Sequence, residues 1–92
     1  MIVSIRHKGL KLLWEKNDPS KLPAAHVAKI RNILTMLDSA QIAEDMNYPG
    51  SKFHGLKGDL VGHYSISVTG NYRITFRFEH GDAELVDYQD YH

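Results

Sequence analysis

Two runs of strict alternation, residues 63–69 and 72–78, are joined by Gly70-Asn71 and constrain the fold more than any other stretch of the chain. In the first run Tyr64, Ile66 and Val68 fall on one face, and His63, Ser65, Ser67 and Thr69 on the other. In the second, Tyr72, Ile74, Phe76 and Phe78 share a face, and Arg73, Thr75 and Arg77 share its opposite. A side-chain period of two predicts two half-buried strands. The Gly-Asn pair is a two-residue hairpin signal, with Gly supplying the positive φ that such turns need. One face of this hairpin is aromatic and aliphatic, while the other carries two arginines. Just upstream, His54 and Lys57 sit in a segment punctuated by Gly55 and Gly58. One imidazole and three permanent cations therefore gather in a short region suited to holding a phosphate.

The rest of the chain supplies what such a hairpin packs against. Residues 1–5 read as a short strand. From His7 to Lys16, Leu10, Leu13 and Trp14 fall on one side of a short helix, with Lys8, Lys11 and Glu15 outside. Asn17-Asp18-Pro19-Ser20 is a turn, and Pro23 suits a first helical position. Val27, Ile30, Ile33, Leu34 and Leu37 then form an apolar stripe at helical spacing, predicting a helix that runs to about Ala43. His26, near its start, reads as a surface histidine. Residues 46–50 break the pattern, Lys52–Leu56 is strand-like, and Ala83–Tyr88 reads as a last strand after a turn at His80-Gly81-Asp82. This order predicts a single α+β domain over residues 1–92: an antiparallel β-sheet with two N-terminal helices packed on one face and the arginine face left open.

Composition narrows the class. Hydrophobic residues make up 42% of the chain, which is globular. With no cysteine there is no disulfide or thiolate site, and a cytoplasmic location is expected. The first residues do not resemble a signal peptide, and no apolar run approaches the roughly 20 residues of a membrane helix. The formal net charge is zero, which argues against binding nucleic acid by bulk charge alone. The charge is unevenly placed: residues 1–31 hold seven Lys/Arg against two acids, a net of +5, and the remainder four against nine, a net of −5. A solvated helical face and an electrostatic footprint for a large anion both fit that asymmetry.

The chemistry-bearing residues cluster at two places. The chain closes on Asp87-Tyr88-Gln89-Asp90-Tyr91-His92, which sets acids, tyrosines and a histidine side by side. A tail without a role is the ordinary reading of such a segment; proton transfer near neutral pH is the alternative that His92 suggests. Asp90 and His92 lack an obvious third metal ligand, so neither a metal site nor another cofactor is expected. There is no phosphate loop preceding a helix and no Gly-x-Ser-x-Gly. Arg77 reads either as an exposed strand arginine or, with Lys57, Arg73 and Tyr91, as an RNA contact. His54, Lys57, Arg73, Asp90, Tyr91 and His92 together have the means to cleave RNA without a metal. Attack by a ribose 2′-hydroxyl needs a base, a cationic environment for the phosphorane-like transition state, and an acid for the leaving 5′-oxygen.

Residues 53–59 (Phe-His-Gly-Leu-Lys-Gly-Asp), Tyr64-Ser65-Ile66, Asn71-Tyr72-Arg73-Ile74-Thr75-Phe76 and the closing Tyr88-Gln89-Asp90-Tyr91-His92 resemble the HigB toxins of the RelE superfamily. The opening His7-Lys8-Gly9-Leu10-Lys11-Leu12-Leu13 is also similar to that family. Gly55 is a departure, at a position where relatives often carry proline. The resemblance implies a ribosome-dependent mRNA endoribonuclease that cuts messages in the 30S A site and stops translation. It implies a HigA-like helix-turn-helix antitoxin as partner, and contact with operator DNA through that antitoxin. It places the family's active-site positions on His54, Lys57, Arg73, Asp90, Tyr91 and His92. The competing expectation is a non-catalytic binding module, or an inactive toxin relative that acts only in operon repression.

Overall fold

The computed structural model describes residues 1–90. Two helices, α1 (Lys8–Lys16) and α2 (Val27–Ser39), precede four strands: β1 (His54–Gly55), β2 (His63–Thr69), β3 (Tyr72–Glu79) and β4 (Asp82–Asp90). The strands are antiparallel neighbours in chain order. Residues 1–6 run beside β4 in the parallel sense, bridging at Ile2–Ala83 and Ile5–Val86, so the strand expected there is reduced to isolated pairings at the sheet's edge.

The hairpin forms as its alternation predicts. Tyr64 pairs with Phe76 and Ile66 with Ile74, so one face of β2 and β3 is continuous. Gly70 takes φ 53° in the connecting turn, the left-handed region that disfavours a side chain. Ile66, Val68, Ile74 and Phe76 are almost fully buried against Leu10, Leu13, Ile30, Ile33, Leu34 and Leu37 of the two helices. Burying such side chains contributes about 1.5–3 kcal/mol each before conformational entropy is counted.

Local chemistry sets the helix boundaries. The Nδ1 of His7 accepts hydrogen bonds from the amides of Gly9 (3.1 Å) and Leu10 (3.3 Å) and caps α1. Asn17, with φ 54°, closes it in the left-handed conformation. Pro23 leads into a 3₁₀ turn, Ala24–His26, before α2 proper begins at Val27. The second helix stops at Ser39 and does not reach Ala43, because the Asp45 carboxylate accepts from the amides of Gln41 (2.9 Å) and Ile42 (3.3 Å). Those bonds begin a separate 3₁₀ turn, Ala43–Met46.

One irregularity governs everything downstream of it. In β4, Ala83 pairs with Phe78 and Glu84 with Arg77, but Asp87 pairs with Thr75. Leu85 and Val86 thus oppose Phe76 together, and Leu85 takes φ 53°. This β-bulge reverses the alternation, so that Ala83 and Val86 both reach the core.

Candidate active site

The face of the sheet away from the helices carries His54, Arg73 and Arg77 of the expected site. His54 pairs with Ser65, Ser65 with Thr75, and Thr75 with Asp87, giving one row across all four strands. The adjacent row is Ser67, Arg73 and Gln89; the row on the other side is His63, Arg77 and Glu84. This face is less open than its polarity suggests. Ser65 is fully buried, and Ser67 and Thr75 nearly so. The loop after β1 folds back through Leu56 N–H to His63 O (2.9 Å), leaving a cleft walled by Leu56, Leu60 and Leu85 with His63, Thr75 and Asp87 among its polar lining.

Arg73 does not extend freely into solvent. Its guanidinium donates to Ser65 Oγ at 2.9 Å, which turns it toward the strand position opposite His54. His54 is exposed, with Nδ1 3.1 Å from the carbonyl oxygen of Lys52. A carbonyl only accepts, so Nδ1 is the donor in this contact, and it is Nε2 that faces away from it. Lys57 is exposed and precedes the short 3₁₀ turn Gly58–Leu60 in the same loop. His54 and Arg73 are thus offered from one side of the sheet, and Lys57 stands exposed in the loop that follows β1.

The other expected residues are placed differently. Arg77 is ion-paired to Glu84 (2.8 Å) and Glu79 (3.0 Å), which engages its guanidinium with acids of its own sheet. Asp90 pairs with Tyr72, on the helix-side face, whereas alternation through β4 would have set it beside the arginines. The bulge at Leu85 causes the switch. Tyr91 and His92 lie outside the described residues. Asp87 and Gln89 were not singled out from sequence as site residues; Gln89 Nε2 donates to Asp87 Oδ2 (3.2 Å), and both line the cleft. Only the period of β4 beyond its bulge could have exposed them. Among the described residues no group of three or more His, Cys, Asp or Glu is arranged to hold a metal ion.

The model of the RelE-like toxin of the type II toxin–antitoxin system HigB matches residues 3–92. The chain belongs to this HigB-like toxin family. This HigB-like chain is 48% identical over 92 residues, all of both chains, to a protein of Proteus vulgaris named Endoribonuclease HigB. It is 33% identical over 94 residues to Toxin HigB-1 of Vibrio cholerae serotype O1, covering 100% of this chain and 98% of that one. Its fold matches the crystal structure of YafQ from E. coli strain BL21(DE3) (TM-score 0.63, 13% identity, 98% and 91% of the two chains). It also matches the YoeB dimer of Staphylococcus aureus (TM-score 0.60, 18% identity, 99% and 94%). Two helices followed by a four-stranded antiparallel sheet is the arrangement shared with these structures. As a HigB-like type II toxin it has a cognate antitoxin for a partner. No helix is long and apolar enough to cross a membrane.

Proposed function

We propose that this HigB-like toxin is a ribosome-dependent endoribonuclease that cuts messenger RNA in the 30S A site without a metal ion. The observation that carries the reading is Arg73, held by Ser65 at the strand position opposite His54, whose Nδ1 is engaged by the Lys52 carbonyl. The full-length likeness to a protein named Endoribonuclease HigB supports it. In this reading the ribose 2′-oxygen attacks the adjacent phosphorus and its proton passes to His54. Arg73 and Lys57 stabilise the charge that accumulates on the non-bridging oxygens. The P–O5′ bond breaks, and the leaving oxygen takes a proton from the Tyr91–His92 pair. The products are a 2′,3′-cyclic phosphate and a 5′-hydroxyl. Tyr91 also stacks on a base, as aromatic side chains do on splayed RNA.

A chain of zero net charge suits an enzyme whose substrate is held by the ribosome, because it need not grip RNA along its length. The work is then cytoplasmic. A HigA-like helix-turn-helix antitoxin neutralises the toxin and carries it to operator DNA. The test uses purified ribosomes programmed with a message labelled at each end. Fragments ending in 2′,3′-cyclic phosphate or 3′-phosphate, with 5′-hydroxyl partners, are expected. Fragments with 5′-phosphate and 3′-hydroxyl ends would refute the mechanism. A chain that neither cleaves nor arrests growth would leave a binding module.

A further inference from the structure

Behind the arginine face, four rings meet where β4 comes to its end. Tyr88 pairs with Ile74 and points to the helix side. Its hydroxyl lies 2.6 Å from Nδ1 of His26, a residue 62 positions earlier in the chain. Its ring stacks on Tyr72, with centroids 5.3 Å apart and planes 12° from parallel. The His7 ring meets it edge-on at 5.4 Å, and His26 meets Tyr72 edge-on at 4.9 Å. His7 caps α1 and His26 immediately precedes α2, so a single tyrosine ties β4 to the starts of both helices.

The strand needs such a tie here. Among the described residues, the parallel segment on the outer side of β4 makes its last backbone bond from Arg6 N–H to Val86 O. Beyond that point β4 is paired on one side only, with β3. Packing alone would be served by phenylalanine. The hydroxyl adds a directional bond, and desolvation, then Tyr72 and Asp90, push its pKa up to about 12. We infer that Tyr88, held by His26, is a positioning residue of the toxin's reaction, fixing the end of β4 at Asp90. This rests on the ribonuclease reading above. It assigns function to a histidine that sequence alone marks as surface; the structure half-buries it.

The experiment compares Tyr88→Phe, His26→Ala, His26→Gln and the Tyr88→Phe/His26→Ala pair. It measures single-turnover cleavage on ribosomes, ribosome affinity and amide hydrogen exchange at Asp90. Tyr88→Phe and His26→Ala should each slow cleavage by about 10- to 100-fold, the scale of a small misplacement of reacting groups. Ribosome affinity should stay within about twofold, since the substrate-contacting groups remain. The pair should be no slower than either single variant, because both remove one interaction. His26→Gln, which retains a hydrogen-bonding partner for the hydroxyl, should recover most of the rate. Exchange at Asp90 should quicken while the amides of α2 are unchanged. Wild-type cleavage by Tyr88→Phe, or exchange that quickens evenly throughout the domain, would overturn the inference. A wild-type chain that fails to cleave would bring down the ribonuclease reading itself. The exchange comparison tells that case apart, since it reports the clamp on Asp90 without any turnover.

Discussion

On the helix side of the sheet, Ile66, Val68, Ile74 and Phe76 are sealed by carbon surface; on the outer side, Ser65, Ser67 and Thr75 are sealed nearly as well, by different means. The first face is closed by two amphipathic helices whose stripes match it. The second is closed by a loop, by an arginine bonded to a serine, and by side chains reaching across from β4. Burial on the helix side is non-directional and scales with area. Burial on the outer side depends on each polar group finding a partner, because an unmade bond there costs about 1–3 kcal/mol. The first face therefore carries stability, and the second holds the residues to which the proposed function assigns chemistry.

Substitutions on the two faces should separate accordingly. Phe76→Ala, on the helix side, should cost about 3–5 kcal/mol, a large share of the 5–15 typical of a domain. Urea unfolding measures it, and a cost under about 1 kcal/mol, within the range of surface changes, would mean the faces are wrongly assigned. Arg73→Ala, on the outer face, should slow cleavage by about 10²–10³ while ribosome binding holds. Its stability should drop by only about 1 kcal/mol, reflecting the orphaned Ser65 hydroxyl. Unfolding by Arg73→Ala would break the contrast.

Tyr88 provides a pH test of the helix side. Its folded pKa is raised from 10.0 to about 12, chiefly by desolvation. The folded state thus holds this proton more tightly than the unfolded chain, so the contribution is complete below pH 10 and is lost as pH rises toward 12. Urea midpoints followed across that window should fall more steeply for the wild-type chain than for Tyr88→Phe. Equal slopes would remove Tyr88 as the cause. The smallest effect is expected at Arg77. Its pairs with Glu79 and Glu84 involve side chains 30–49% exposed, so Arg77→Ala should cost no more than about 1 kcal/mol. Its cleavage should fall by much less than that of Arg73→Ala, because its guanidinium is already engaged. A defect equal to that of Arg73→Ala would show that Arg77 leaves its acids to grip RNA.

The helix-side face was legible because period two and period 3.6 are local signals, and both were strong in residues 27–37 and 63–78. The outward direction of Arg73 was legible for the same reason; His54 and Lys57 stood out by residue type alone. What escaped the sequence depends on partners far along the chain. The end of α2 depends on Asp45, six residues past Ser39, capturing amides on its own account. The bond between His26 and Tyr88 leaves no trace in either neighbourhood. Asp87 and Gln89 came to the outer face, and Asp90 to the helix side, because of a bulge whose single local sign is the adjacent pair Leu85-Val86.

That bulge has a genetic consequence. Many replacements at Leu85 keep the count of residues, and so preserve which way each later side chain is turned, though its left-handed backbone would favour glycine or asparagine. With Leu85 removed the two-against-one step disappears and Val86 alone opposes Phe76, so every later residue keeps its partner and its face. Removing a residue beyond the bulge, such as Asp87, would instead turn the following ones over, Tyr88 toward water and Gln89 inward. A reading-frame-preserving deletion of three nucleotides should therefore be borne at Leu85 and harmful two codons later. Beyond the bulge, inheritance guards length more closely than spelling.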